Sequence, residues 1–194
     1  MNRKKSLHRK TNETDISLEI DLDKTTGNRI DTTIPFFNHM LEAFSKHSGF
    51  DLTVKAKGDI DVDFHHTIED TGIVLGDVFC KALADKNGIA RFGEATLPLD
   101  EALSRVSLDL SGRSFFYFGV NFTRTDDGNN INPYIFEEFF RAFSDSAKIN
   151  LHIDSIRGNN SHHILESVFK AFAKALSKAV QIDGNDIPST KGTI

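Results

Sequence analysis

Two short strings of histidine and glutamate are the residues of this sequence best suited to chemistry. They are His65-His66-x-x-Glu69 and His162-His163-x-x-Glu166. In a helix, residues i and i+4 lie on one face, whereas adjacent residues diverge by about 100°. An imidazole nitrogen and a carboxylate oxygen form a ligand pair that first-row divalent ions accept. The spacing therefore predicts that each string supplies one such pair to a metal ion.

The second histidine of each string, His66 or His163, points away from the pair on its own helix. We expect it to serve the other ion, so that His163 joins the pair His65 and Glu69. By the same exchange, His66 joins the pair His162 and Glu166. Such a site lies between two halves of the chain, or between two subunits.

An internal repeat supports this exchange. His39–Ser45 aligns with Glu138–Ser144, and each segment is followed by an alternating strand, a glycine and then the His-His-x-x-Glu string. The repeat predicts a single domain over residues 1–194 made of two units, at about 10–90 and 98–184. Each metal site has room for a fourth ligand, and the alignment selects His39 and Glu138 for these positions.

The elements that must position these residues follow from the spacing of apolar side chains. Phenylalanines at helical spacing, such as Phe139, Phe140 and Phe143, are expected to form the core. Strands are predicted at 16–20, 29–33, 51–56, 102–109, 115–122 and 149–153, helices at 35–49, 65–88, 135–143 and 165–180, and a loop at 123–130.

Composition excludes several classes of protein. The chain has 194 residues, a formal net charge of −5 and one cysteine, Cys80. The charge argues against broad binding to nucleic acid or to an acidic membrane surface, and no apolar run approaches the roughly 20 residues of a membrane span. The basic N-terminus lacks the apolar segment of a signal peptide. Because Cys80 cannot form an intrachain disulfide, we expect a reducing, cytoplasmic setting.

The motifs in this chain resemble those of the imidazoleglycerol-phosphate dehydratase family, which acts in histidine biosynthesis. The resemblance covers nearly the whole chain and implies an α+β fold in which a small unit is duplicated, each half a four-stranded sheet with helices packed on one face. It also implies two manganese ions per active site and a shell of 24 subunits with active sites between subunits. The matching segments are 11–14, 35–41, 65–70, 91–93, 98–102, 109–113, 161–163 and 188–192.

The reaction that the resemblance implies is loss of water from imidazole glycerol phosphate to give imidazole acetol phosphate. A side chain must take a proton from carbon, and an acid must protonate the departing oxygen. Glu13 is the candidate for this proton traffic, with His47 or Glu166 as alternatives. Residues expected to contact the substrate phosphate are Arg91, Arg113, Ser189, Thr190 and Lys191. The wider set of predicted substrate contacts adds Glu13, His39, His47, His65 and Glu69.

The sequence departs from the family pattern at two positions. Glu138 stands where many relatives have a histidine, and Asn38 stands where they usually have an aspartate. A carboxylate can replace an imidazole at manganese, so we expect the site to survive with altered metal preference or affinity.

Two other functions are compatible with paired metal sites. In a structural or metal-storage assembly, the ions would only join subunits. A dimetal phosphoester hydrolase would also need two ions and a phosphate pocket. The arginines and the Ser189-Thr190-Lys191 run argue against a purely structural metal site.

Overall fold

A computed structural model describes residues 2–24, 27–122 and 131–194. The predicted loop at 123–130 lies outside the described residues. No helix in the described part of the chain is long and apolar enough to cross a membrane.

The first half of the chain is a four-stranded sheet with two helices. The sheet has the order β1-β2-β4-β3, in which β3 is parallel to β4 and the other neighbours are antiparallel. Ile16, Leu18 and Ile20 alternate with more exposed residues, so one face of the sheet is buried. The elements are β1 (Lys4–Lys10), β2 (Thr14–Asp21), β3 (Arg29–Asp31), α1 (Pro35–Ser48), β4 (Asp51–Gly58) and α2 (His65–Leu83).

The second half repeats this arrangement. Its sheet has the order β5-β6-β8-β7, again with only the last pair of strands parallel. The duplicated α+β fold expected from the sequence is therefore confirmed. The elements are β5 (Phe92–Leu99), β6 (Ala102–Asp109), β7 (Phe115–Gly119), α3 (Ile135–Ala147), β8 (Asn150–Arg157) and α4 (Ser161–Ala179).

The helices of the two halves pack against each other in crossed pairs, α1 with α4 and α2 with α3. Each sheet buries one face on these helices, so the helices lie between the two sheets. Phenylalanine rings fill the space between helices, as the sequence predicted: Phe44 stacks on Phe172 with ring centroids 5.4 Å apart. Gly72 lets α2 approach α3 closely, because a Cβ there would lie 2.5 Å from the Phe139 carbonyl oxygen.

Several element boundaries differ from the sequence prediction. The edge strands β1 and β5 were not predicted. The helix expected to begin at Leu165 begins at Ser161, where the Asn160 side chain accepts a hydrogen bond from the His163 backbone N–H and caps it. The strand expected to reach residue 122 ends at Gly119, and the helix expected to run to residue 88 ends at Leu83.

Candidate active site

The crossed packing of α1 on α4 brings three predicted metal ligands together. His39 Nε2 lies 3.3 Å from Glu166 Oε2, and His162 Nε2 lies 3.1 Å from the same oxygen. One ligand atom from each of the three residues lies within 4.8 Å of the others. His39 therefore joins the pair on α4, although it is 127 residues from Glu166 in the chain. Two imidazoles and a carboxylate at this separation fit a divalent ion.

Glu166 is the one carboxylate of this cluster, and a lysine contacts it. Its side chain is 14% exposed, and Lys170 Nζ lies 2.6 Å from Glu166 Oε1. Burial raises the pKa of Glu166, but the hydrogen bond and charge of Lys170, together with His39, outweigh burial and leave this pKa below its ordinary value. Glu166 is thus held as a carboxylate, with Oε2 directed at the two histidines.

Sequence reasoning missed Lys170. A signal was available, because Lys170 follows Glu166 by four residues and so lies on the same helix face. Lys170 also acts on His47. Burial, then the charges of Lys170 and Lys174, lower the pKa of His47. His47 is therefore neutral near pH 7 and able to accept a proton.

The corresponding residues of the first half are more open. His65 Nε2 lies 3.2 Å from Glu69 Oε2 on α2, as the helix spacing predicts, and the Glu69 side chain is 39% exposed. The predicted fourth ligand, Glu138, instead lies 3.4 Å from Arg141 Nε on α3. Over residues 2–24, 27–122 and 131–194, the His39, His162 and Glu166 cluster is the only such group of three potential ligands. The structure does not join Glu138 to His65 and Glu69 in a matching group.

The second histidine of each string is anchored through Nδ1 by a carboxylate. His66 Nδ1 lies 3.1 Å from Asp59, and His163 Nδ1 lies 2.7 Å from Glu101. These contacts raise the pKa of both histidines. When a neutral imidazole donates its Nδ1–H to a carboxylate, the lone pair of Nε2 is left available for a metal.

Glu101 is fixed more firmly than Asp59. It accepts hydrogen bonds from the backbone N–H groups of Asn159 and Asn160 as well as from His163. The hydrogen bond from His163, followed by those from Asn160 and Asn159, lowers the pKa of Glu101 to about 2. Sequence reasoning identified neither Asp59 nor Glu101, and only the fold brings Glu101 to a histidine 62 residues away.

Glu13 lies beside the anchored His66. Glu13 Oε2 is 3.9 Å from His66 Nδ1, and the Glu13 side chain is 55% exposed. Glu13 occupies the turn between β1 and β2, and its backbone carbonyl accepts a hydrogen bond from Asp59 N–H at 3.1 Å. The candidate proton-transfer residue is therefore open to a ligand and adjacent to a predicted metal ligand.

The residues predicted to hold phosphate gather near the C-terminal tail. Arg91 donates from Nε and Nη2 to Asp109 and from Nη1 to the Pro188 carbonyl, which ties the tail to the body. A Cβ on Gly112 would lie 3.1 Å from the Ile194 carbonyl carbon, so the chain end packs on the turn that carries Arg113. Arg113 is exposed, as are Thr190 and Lys191, whereas Ser189 is half-buried. Arg91 thus positions the tail, and the others offer donors to an anion.

Comparison with known proteins identifies one family over most of the chain. The family model described as imidazoleglycerol-phosphate dehydratase matches residues 32–176. The chain is 54% identical over 194 residues to the protein of that name from Thermodesulfovibrio yellowstonii, covering 99% of this chain and 100% of the relative. It is 52% identical to that from Gluconacetobacter diazotrophicus, covering 97% and 96%.

Two solved structures share the fold. The crystal structure of imidazoleglycerol-phosphate dehydratase from Staphylococcus aureus matches with a TM-score of 0.83 and 37% identity, covering 92% of this chain and 99% of that one. The crystal structure of the enzyme from Pyrococcus furiosus in complex with (S)-C348 matches with a TM-score of 0.81 and 34% identity, covering 97% and 100%. Both the fold and the motifs therefore agree with one family.

Proposed function

The chain belongs to the imidazoleglycerol-phosphate dehydratase family, a family of hydro-lyases of histidine biosynthesis, and we propose that it performs this reaction with two bound divalent metal ions, most suitably manganese. The observation that carries the metal dependence is the convergence of His39, His162 and Glu166 within 4.8 Å. Mixed imidazole and carboxylate donors suit manganese, which is borderline hard.

The donor set supports two ions. His39, His162 and Glu166 would hold one ion, and His65 with Glu69 would begin the other. Asp59 and Glu101 engage Nδ1 of His66 and His163, which leaves the Nε2 lone pair of each for a metal. His163 Nε2 lies 3.8 Å from Asp100 Oδ2, beyond hydrogen-bond distance. His66 and His163 would each add a ligand to the ion held by the opposite string. Glu138 would give up its contact with Arg141 and become the fourth ligand of the first-half ion.

Exchange of ligands between strings favours an active site made between subunits. In the part of the chain that the structure describes, the group of three ligands on α1 and α4 does not include His65, His66 or Glu69. A second copy of the chain can supply these three residues. We propose a homo-oligomer of this kind, with 24 subunits as the assembly that the family resemblance predicts.

The reaction removes a proton from one carbon and hydroxide from its neighbour, which leave together as water, and the enol that forms rearranges to the ketone. Bound divalent ions would stabilise the negative charge that develops on the substrate's imidazole ring. We assign removal of the proton from carbon to Glu13, and its exposed carboxylate beside His66 supports this role. His47, which is neutral, and Glu166, which is ionised, are the alternatives.

The tail orients the substrate through its phosphate. Arg113 offers a guanidinium fork, and Ser189, Thr190 and Lys191 offer hydroxyl and ammonium donors. Arg91 keeps these residues in place, because it holds the Pro188 carbonyl at 2.8 Å while Asp109 fixes its guanidinium. A phosphate held at a fixed point limits the positions open to the reacting carbons.

The test is to incubate the manganese-loaded protein with imidazole glycerol phosphate and to measure both the ketone and free phosphate. We expect the ketone to form without phosphate release, and chelation to abolish the reaction until manganese is restored. Release of phosphate would identify a dimetal hydrolase. Metal binding with neither product would identify a storage or structural assembly. Full activity of protein shown to contain no metal would contradict the metal dependence.

A further inference from the structure

A buried carboxylate, Asp70, connects the turn that carries Glu13 to the helix that carries the first-half ligands. Asp70 follows Glu69 on α2, and its side chain is 12% exposed. Thr14 Oγ1 donates a hydrogen bond to Asp70 Oδ2, and Arg9 Nη1 lies 2.6 Å from the same oxygen. We propose that Asp70 is a positioning residue that keeps the Glu13 carboxylate at the right place for the substrate. This inference rests on the proposed dehydratase function.

The turn itself is built around a second threonine. Thr11 Oγ1 accepts hydrogen bonds from the backbone N–H groups of Glu13 and Thr14, at 3.1 and 3.0 Å. Thr11 N–H donates in turn to the Thr14 carbonyl at 2.9 Å. The backbone of Glu13 is therefore fixed relative to Thr14, and whatever holds Thr14 also sets the position of Glu13.

Asp70 holds this turn from both sides. Arg9 lies at the end of β1, before the turn, and Thr14 is the first residue of β2, after it. Thr14 is buried, and its hydroxyl donates to Asp70 on α2 while Thr11 Oγ1 lies 3.2 Å from it. Because the Asp70 side chain is largely buried whereas the Glu13 side chain is exposed, Asp70 acts through the turn rather than on the substrate.

The second half of the repeat lacks this device. Ser167 occupies the position equivalent to Asp70, and it pairs with Ser104 of β6 at 2.6 Å. This neutral contact also joins a strand to a ligand-bearing helix, yet Ser104 lies within β6 and not at the turn before it. A neutral hydrogen bond is therefore enough to join a strand to a ligand-bearing helix. The charged Asp70 of the first half does more, because it contacts both strands that flank Glu13.

Thr14→Val tests the proposal, since it removes the hydroxyl but keeps the shape and leaves Asp70 its contact with Arg9. We expect kcat to fall about 10-fold or more with KM changed by less than about two-fold, because small displacement of a reacting group costs rate rather than binding. Metal content should equal that of the wild type. Thr14→Ser should restore kcat, and Asp70→Asn should lower kcat as Thr14→Val does.

Ser104→Ala is the matched control, because it removes a buried hydroxyl from the equivalent strand and leaves Ser167 bonded to the Ile164 carbonyl. We expect a similar change in Tm and an unchanged kcat. Hydrogen exchange gives a readout independent of activity: the amides of residues 13 and 14 should exchange faster in Thr14→Val and in Asp70→Asn but not in Ser104→Ala.

Three results would overturn the proposal. They are a wild-type kcat in folded Thr14→Val and Asp70→Asn, an equal loss of kcat in Ser104→Ala, and unchanged exchange at residues 13 and 14. If the wild-type protein itself had no dehydratase activity, both the proposed function and this inference would fall. An active wild type with unaffected variants would overturn the inference alone.

Discussion

The two halves of the chain carry the same His-His-x-x-Glu string in the same place on the same fold, yet their surroundings differ. In the second half, Glu166 is 14% exposed and bonded to Lys170. In the first half, Glu69 is 39% exposed, and the residue four positions after it is Ile73. The repeat thus conserves the spacing of the ligands and varies the groups that hold them.

The helix packed beside each ligand pair also makes a closer contact with the pair in the second half than in the first. His39 of α1 reaches the α4 pair, whereas its repeat equivalent, Glu138 of α3, lies against Arg141. A site whose ligands already converge loses less conformational freedom when an ion arrives. We therefore expect the second-half site to bind its ion more tightly than the first-half site, and the following experiments test this difference.

The largest effects should come from the ligand carboxylates. Glu166→Gln and Glu69→Gln each keep the side chain's shape and remove its charge. Each should lower metal content and kcat together, and metal affinity should fall by more than the roughly 10- to 100-fold typical of residues that only orient a ligand. Elemental analysis and steady-state kinetics measure both. Glu166→Gln should be the more severe, and the reverse order would contradict the comparison.

Metal affinity should fall by a smaller factor when the carboxylates that anchor Nδ1 of His66 and His163 are removed. Glu101→Gln and Asp59→Asn should weaken metal binding about 10- to 100-fold, because the imidazole loses the partner that fixes its tautomer and orientation. Competition with a fluorescent chelator measures the affinity. Glu101→Gln should have the larger effect, since two backbone N–H groups also fix Glu101. Wild-type affinity in both variants would show that the anchors are not needed.

Metal uptake should also decrease as pH falls. Asp59 and Glu101 raise the pKa of His66 and His163 above the ordinary value of 6.5, and a protonated imidazole cannot bind metal. Uptake by the metal-free protein should therefore be complete near about pH 8 and decline as pH falls, beginning above the ordinary histidine range. Metal content measured against pH tests this. When the affinity at each pH is taken relative to the same protein's affinity near about pH 8, the decline in Glu101→Gln should begin at lower pH, because His163 loses the carboxylate that raises its pKa. An unshifted onset would contradict the assignment.

The smallest change is expected at Glu138. Glu138→Ala should weaken one ion selectively and leave Tm nearly unchanged, since a half-exposed ion pair such as that with Arg141 contributes only about 0 to 1 kcal/mol. Glu138→His should retain two ions and measurable turnover. Metal stoichiometry and Tm measure these effects. Full metal content and an unchanged rate in Glu138→Ala would show that the alignment of the two halves is wrong at this position.

Much of the fold could be predicted from side-chain spacing. Strict alternation at Ile16, Leu18 and Ile20 identified β2. The strand β1 was missed because Lys4–Lys10 is charged and mostly exposed, which is common for an edge strand and weakens the alternation. β5 was missed for a similar reason, since its more buried positions include Gly93 and Ala95 rather than large apolar residues.

Some residues of the candidate site could likewise be predicted from sequence spacing, and others could not. Ligand pairs four residues apart on one helix can be predicted from sequence, and Lys170 was within reach of the same rule. Asp59 and Glu101 lie in or beside turns, where spacing carries no information about which side chain they will face. Their contacts with His66 and His163 depend on how the strands place these turns against the ligand helices.

Subunit mixing tests most directly the claim that the two strings complete each other's sites across subunits. One inactive variant would carry His66→Ala with Glu69→Gln, and the other His163→Ala with Glu166→Gln. When equal amounts are dissociated and reassembled with manganese, about a quarter of the sites should combine two intact faces and regain activity. If each site were built within a single chain, every site would keep a defect, and the mixture would remain as inactive as its components.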